Sequence, residues 1–252
     1  MLELINLCKQ YDKRIVLNSL EYRIEPGITA VLAPNGAGKT TLIKMLTTSL
    51  APTSGKILWN GANICDKAAE TGYLKSMAYV PQVPGYYRSW TALQFMKYVS
   101  HLRGISDNMS TREIEDRISE ELEFFGLGDK KKVKMGKFSA GMIKRVFLAE
   151  AFLTDSELYI FDEPTAGLDP LECEKLRHRM KELSKTKTVI ISTHIIADVE
   201  DIADEVIMIK NGNIVVGSDV SSAKRNGNAD SLHELFLSIY SDEINSEGDT
   251  LQ

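Results

Sequence analysis

Lys39, Thr40 and Thr41 follow a loop, Ala33-Pro34-Asn35-Gly36-Ala37-Gly38, that joins a short apolar run, Ile28 to Leu32, to an apolar-periodic segment. Strand, loop and helix in that order turn successive backbone N–H groups inward to cradle phosphate oxygens, and the positive end of the helix favours the same negative charge. Lys39 is then placed to reach β- and γ-phosphates, and the Thr40 hydroxyl to ligate Mg²⁺. Gly36 and Gly38 let the backbone close on the ligand where a Cβ would intrude. Ala33 stands where the first glycine of GxxxxGK[ST] is usual, a departure that matters only if position 33 needs a positive φ. The plainer reading of the stretch is a Gly-rich turn whose lysine merely begins a helix.

A second group of candidates closes the run Leu158-Tyr159-Ile160-Phe161. Asp162 and Glu163 lie just beyond that strand, at the carboxyl edge where open parallel sheets bind ligands. Asp162 suits the acid that holds Mg²⁺, and Glu163 is placed to polarise an attacking water as general base. Two acids there could also simply favour a helix N-terminus. Ser139 reads by itself as an N-cap, and His194 as a histidine satisfied at a strand end. Tyr11, in a turn, could stack on a purine ring or pack on its neighbours.

These groups must be positioned by a sizeable fold. The chain has 252 residues, 43% hydrophobic and 26% charged, which is ordinary soluble globular composition. A net charge of −5 argues against general nucleic-acid binding, which needs basic surface. Cys8, Cys65 and Cys173 are far apart and form no CxxC pair, pointing to a reducing compartment without disulfides or structural zinc. Acidic Glu3 and the lack of a long apolar core make the N-terminus unlike a secretory signal. No stretch approaches the ~18 apolar residues that span a bilayer, so any membrane part must come from other chains.

Along the chain, Leu2 to Leu7, Ile15 to Leu20 with Tyr22 and Ile24, and Lys56 to Trp59 closed by Asn60-Gly61 read as strands of a small antiparallel sheet. The helix after the phosphate loop keeps its period through Leu50 and stops at Pro52 and Gly55. Ser76 to Val80 is a strand. Helices follow: one capped by Thr91, with Leu93, Met96, Val99 and Leu102 inward, and one with capping-box spacing at Ser110 and Glu113 and the stripe Ile114, Ile118, Leu122, Phe125. The basic run Lys130, Lys131, Lys132 and Lys134 reads as a solvated face. After Ser156 the α/β pattern resumes with a helix at Leu171 to Leu183, a strand at Thr188 to Ser192, and a hairpin of Glu205 to Lys210 and Ile214 to Gly217. A linker, Ser218 to Asp230, precedes a short amphipathic helix bearing Leu232, Leu235, Phe236 and Ile239, flanked by Asp230, Glu234, Asp242 and Glu243. Those charges disfavour insertion into anionic lipid. The last residues, Asp242 to Gln252, read as frayed.

Phe138-Ser139-Ala140-Gly141-Met142 resembles the LSGGQ signature of ATP-binding cassette (ABC) ATPases, in the variant with Met at the last position found in bacterial multidrug-type exporter ATPases. The other motifs of that family then fall in order. Tyr11 resembles its adenine-stacking aromatic, Gln82 after Tyr79-Val80-Pro81 its Q-loop glutamine, Ala166-Gly167-Leu168-Asp169 its D-loop, and His194 its γ-phosphate switch. The resemblance implies an α/β P-loop NTPase core with an N-terminal antiparallel β subdomain and an inserted α-helical subdomain. It divides the chain into a cassette at 1–217, with helical residues at about 86–153, and a tail at 218–252. It also implies ATP and Mg²⁺ as ligands, with Thr40, Gln82 and Asp162 at the metal, Glu163, His194, Lys39 and Gln82 in hydrolysis, and Tyr11, Ala33 to Thr41, Ser139 to Gly141 and Asp169 around nucleotide.

The implied function is that of the ATPase subunit of a membrane transporter, an exporter by its signature. In this family the signature of one subunit closes on the nucleotide of another in a head-to-tail homo- or heterodimer, so the departures Ala33, Phe138, Ala140 and Met142 bear on that trans contact. A transmembrane permease would be the partner, received near Gln82, with Tyr86, Tyr87 and Trp90 as contacts or as subdomain core. The location implied is the cytoplasmic face of a membrane, without nucleic acid and without lipid insertion. Competing classes are a soluble ABC ATPase acting on ribosomes or DNA, whose tandem cassettes or long coiled coil this chain lacks, and a weakly active regulatory cassette.

Overall fold

The computed structural model describes residues 1–105 and 109–248, with no side chain described beyond Ser241. The chain opens with β1 (Leu2–Tyr11) and β2 (Arg14–Ile24), then β3 (Gly27–Leu32) and α1 (Lys39–Leu46). It continues through β4 (Ser54–Trp59), β5 (Ala62–Asn63), α2 (Lys67–Ser76) and β6 (Met77–Val80). A helical section follows, with α3 (Ala92–Leu102), α4 (Thr111–Phe124) and α5 (Ala140–Leu153). The remainder is β7 (Leu158–Asp162), α6 (Pro170–Ser184), β8 (Thr188–Thr193), β9 (Glu205–Lys210), β10 (Asn213–Asp219), α7 (Val220–Asn226) and α8 (Leu232–Gly248).

Two sheets organise these elements. An antiparallel sheet runs β2-β1-β4-β5, and a second sheet of six strands runs β10-β9-β3-β8-β7-β6, parallel except for the β9–β10 hairpin. In β1 the inward residues Leu2 and Leu4 are followed by Leu7, one position out of phase. Asn6, at φ 46°, sits at the register shift that resets the alternation, as a bulge does. β7 and β8 are buried at every residue, as expected of parallel strands covered on both faces. The two sheets meet where Asn18 N–H donates to the Gly212 carbonyl at 2.7 Å.

The α/β fold with an antiparallel sheet and a helical section agrees with the sequence reading, but several local expectations need correction. The helix after the phosphate loop stops at Leu46, because Thr48 takes a left-handed φ of 55°. Met96 is buried and Leu93 and Val99 are half-buried, as expected, but Leu102 is 63% exposed, and α3 also buries Ala92, Phe95 and Ser100, on a face turned toward α4 and α5. α2 escapes the sequence reading altogether, since it buries only Tyr73 and Asp66 caps it without a side-chain hydrogen bond. The stretch expected as a linker, Ser218 to Asp230, contains α7, capped by Asp219. The final helix extends past Tyr240 to Gly248, where a frayed end was expected, while 249–252 and the side chains of Asp242 and Glu243 lie outside the described residues.

Leu232, Leu235 and Phe236 are buried, and Tyr240 O–H donates to the Ile209 carbonyl of β9 at 2.8 Å, so the apolar face of α8 is spent on the protein itself. Among the described residues no helix is long and apolar enough to cross a membrane. Arg103, at the end of α3, donates to the Met77 carbonyl at 2.5 Å and pairs with buried Glu150 of α5 at 3.2 Å. Burial pushes the Glu150 carboxyl up and Arg103 pulls it back. The helical section is thereby pinned to the start of β6, and Phe152 of α5 lies 5.8 Å from Phe161 of β7.

Candidate functional site

Parallel register brings the chemistry together. Leu32 lies beside Thr193, Asp162 beside Ser192, and Val80 beside Phe161. The loops that leave β3, β6, β7 and β8 therefore emerge from one carboxyl edge, where α/β sheets form their ligand crevices. A cavity at that edge is lined by Val16, Pro34, Asn35, Gly36, Gly38, Lys39, Thr40, Thr41, Gln82, Asp162 and Glu163. All of these except Val16 were singled out by sequence. Val16, on β2, carries no residue-type signal and enters only because β2 crosses the phosphate loop.

The loop's geometry suits an anion. Gly38 caps α1 at φ 112°, and a Cβ there would come 2.7 Å from Leu17 Cδ2. Gly36 is also left-handed, at φ 81°, whereas Ala33 is not among the positive-φ residues. Position 33 therefore imposes no requirement for glycine. Buried Lys39 donates to the Ala33 carbonyl and, at 3.1 Å, to the Pro34 carbonyl. Burial pushes its ammonium pKa down, against the pull of the Glu163 and Asp162 carboxylates. Lys39→Ala removes a charge-assisted contact to phosphate worth about 1.5 to 3 kcal/mol and is expected to weaken ATP binding roughly 10- to 100-fold. Calorimetric titration of the purified chain measures this, and unchanged affinity would falsify the phosphate-loop reading.

The two acids differ in setting. Burial raises the Asp162 pKa, with Glu163 adding to the rise and Lys144 and Lys39 opposing it. Glu163 is buried in left-handed backbone at φ 48°, a conformation costing a non-glycine residue roughly 1 kcal/mol or more. Its N–H donates to Ser192 O at 2.8 Å, and its carboxylate is gripped on both oxygens. Thr193 Oγ1 donates to Oε2 at 3.1 Å, and His194 Nδ1 lies 2.7 Å from Oε1. His194, half exposed, thus joins the site through Glu163 and does not line the cavity. Thr40, Gln82 and Asp162 line one cavity, and a hydroxyl, an amide and a carboxylate are the hard set that Mg²⁺ prefers.

The remaining candidates lie elsewhere. Ala37 lines a neighbouring cleft with Arg14, Ile15 and Asn211. Tyr11 is the last residue of β1 and not part of the turn; it is 46% exposed, with the Lys9 ammonium 5.3 Å from its ring. Ser139 caps α5 by accepting from Met142 N–H at 3.2 Å, and Gly141 packs on Gly167 so closely that a Cβ would come 2.5 Å from that carbonyl. Asp169 forms a capping box with Glu172 at the start of α6. Neither Ser139, Ala140 and Gly141 nor Asp169 lines the phosphate cavity of its own chain. Tyr87 stacks on Trp90 at 4.7 Å and is 63% exposed, while Tyr86 and Trp90 are partly buried, so this aromatic group is both surface and subdomain packing.

Sequence reasoning also missed Lys144 of α5. It is 3% exposed and donates to the carbonyls of Pro81, Gln82 and Asp162 at 2.9, 3.3 and 3.2 Å. Burial pushes its pKa down to about 8, although Asp162 and Glu163 oppose the shift. The available signal was a lysine at helical spacing from Phe147, Leu148 and Ala151, all of them buried.

Comparison with known proteins gives the family and the fold. Residues 17–166 match the family model described as ABC transporter. The lantibiotic transport ATP-binding protein SrtF of Streptococcus pyogenes is 34% identical over 94% of this chain and 96% of its own length. The Nod factor export ATP-binding protein I of Rhizobium etli is 30% identical over 98% of this chain and 80% of its own. A solved structure described as an ATP binding subunit of an ABC transporter superimposes with TM-score 0.85, at 30% identity, covering 94% of this chain and 98% of that one.

Proposed function

The chain belongs to the ABC transporter family, and from that premise we propose that it is the ATP-binding and ATP-hydrolysing subunit that powers a membrane exporter. The observation that carries the reading is a single cavity holding the phosphate loop, Gln82, Asp162 and Glu163 at the carboxyl edge of the parallel sheet. Intact Lys39, Asp162, Glu163 and His194 support an active ATPase over a regulatory cassette. Export is supported by relatives named for lantibiotic transport and Nod factor export.

In this mechanism the loop N–H groups and Lys39 bind and orient the triphosphate, with Tyr11 beyond the loop as the surface for the base. Mg²⁺, held by Thr40, Gln82 and Asp162, would offset phosphate charge and favour attack at the γ-phosphorus. Glu163 accepts the proton of the attacking water, its carboxylate aimed by Thr193 and His194. Ser139 and Gly141, outside the cavity of their own chain, serve the nucleotide of a second cassette, and Asp169 lies beside that contact. Residues 1–217 form the cassette with the helical part at about 86–153, and 218–252 form a tail, whose Tyr240 O–H donates to the Ile209 carbonyl of β9. A permease segment docks near Tyr87 and Trp90 on the cytoplasmic face. Affinity capture of the tagged chain from detergent-solubilised membranes is expected to retain a stoichiometric polytopic membrane protein. Recovery with ribosomes or DNA instead would overturn the proposal.

A further inference from the structure

We infer that Lys144 is a positioning residue whose ammonium fixes the Gln82 loop against the end of β7, and so sets the placement of Gln82 and Asp162 toward the metal. This rests on the site reading above. The sheet order leaves β6 at an edge, with β7 as its neighbour. Pro81 and Gln82 lie past the end of β6, where the ladder no longer takes up backbone carbonyls. The Lys144 ammonium has three donors, and it spends them on Pro81 O, Gln82 O and Asp162 O, all within 3.3 Å. Two of those carbonyls belong to Gln82 and Asp162, which both line the phosphate cavity.

Packing by itself would not select a lysine here. An unbranched apolar side chain would suit a buried position at helical spacing from buried Phe147, Leu148 and Ala151 without the desolvation cost of a buried ammonium. It would also leave three carbonyls, that of buried Asp162 among them, without this donor, and the loop bearing Gln82 would lose its link to β7. The lysine therefore acts behind the metal ligands, holding their backbone in register, as outer-sphere partners do.

The test uses the full chain and measures ATP affinity by calorimetry in Mg²⁺ and again in EDTA, for wild type, Lys144→Met and Lys144→Gln. The quantity read is the gain in affinity produced by Mg²⁺. Lys144→Met is expected to reduce that gain about 10-fold or more, in the range for loss of an outer-sphere partner, while Mg²⁺-free affinity stays within about threefold. Lys144→Gln, with two donors left, is expected to fall between the two, and it decides the matter if the Met variant does not fold. A Gln variant equal to wild type, a Met variant keeping the full gain, or equal losses with and without Mg²⁺ would each overturn the inference. A wild-type chain whose ATP affinity ignores Mg²⁺ would overturn the underlying site reading itself.

Discussion

Glu163→Gln is expected to lower ATP turnover by about 10²- to 10⁴-fold, the usual contribution of a general base and equivalent to roughly 3 to 5 kcal/mol of barrier. The amide keeps the shape of the carboxylate. Its oxygen can still accept from Thr193, and its NH₂ can face a ring nitrogen of His194, so the left-handed turn and the phosphate loop should stand. Nucleotide affinity is expected to change by less than about threefold, well under 1 kcal/mol. With hydrolysis blocked, the cassette pair closed on ATP should accumulate and elute as a dimer in size-exclusion chromatography with excess ATP. A strictly monomeric variant would point to a different ABC subunit as partner, and turnover near the wild-type rate would place the base elsewhere.

Gly141→Asp is expected to suppress turnover by orders of magnitude with nucleotide binding nearly intact, for two separable reasons. Within the chain, any Cβ at position 141 would meet the Gly167 carbonyl at 2.5 Å, so the segment between Glu163 and Asp169 must shift. Between chains, the added carboxylate would face phosphate, and like charges about 4 Å apart at an effective dielectric near 20 repel by up to ~4 kcal/mol. Gly141→Ala carries the steric part alone. If the signature serves a second cassette, the Asp variant should turn over at least ten times more slowly than the Ala variant, a further ~1.4 kcal/mol. ATPase assays with the cognate membrane subunit and nucleotide titrations of both variants read this out. Equal rates would reduce Gly141 to a close-packing glycine, and a fully active Asp variant would leave Ser139 to Met142 as a helix cap only.

Local interactions made much of the molecule legible from its residues. Thr91, Ser110 and Ser139 each cap the helix they precede, because a cap is a hydrogen bond spanning three residues. The phosphate loop could be read for the same reason: its glycines, lysine and threonine act within one turn of a strand and a helix. Weak local signals were lost, as in α2, whose only buried residue is Tyr73, and α7, which buries only Ala223.

Tertiary structure alone decided the rest. Which side of α3 faces inward depends on where α4 and α5 lie, and Leu102 came out exposed. The grip of Thr193 and His194 on Glu163 joins residues 30 and 31 positions apart, and it exists only because β7 and β8 are neighbours. The acceptors that keep Lys144 buried come from 63, 62 and 18 residues away. A sequence states local propensity directly, but the partner that satisfies a buried charge is chosen by strand order and register, and those are settled only when the whole core packs.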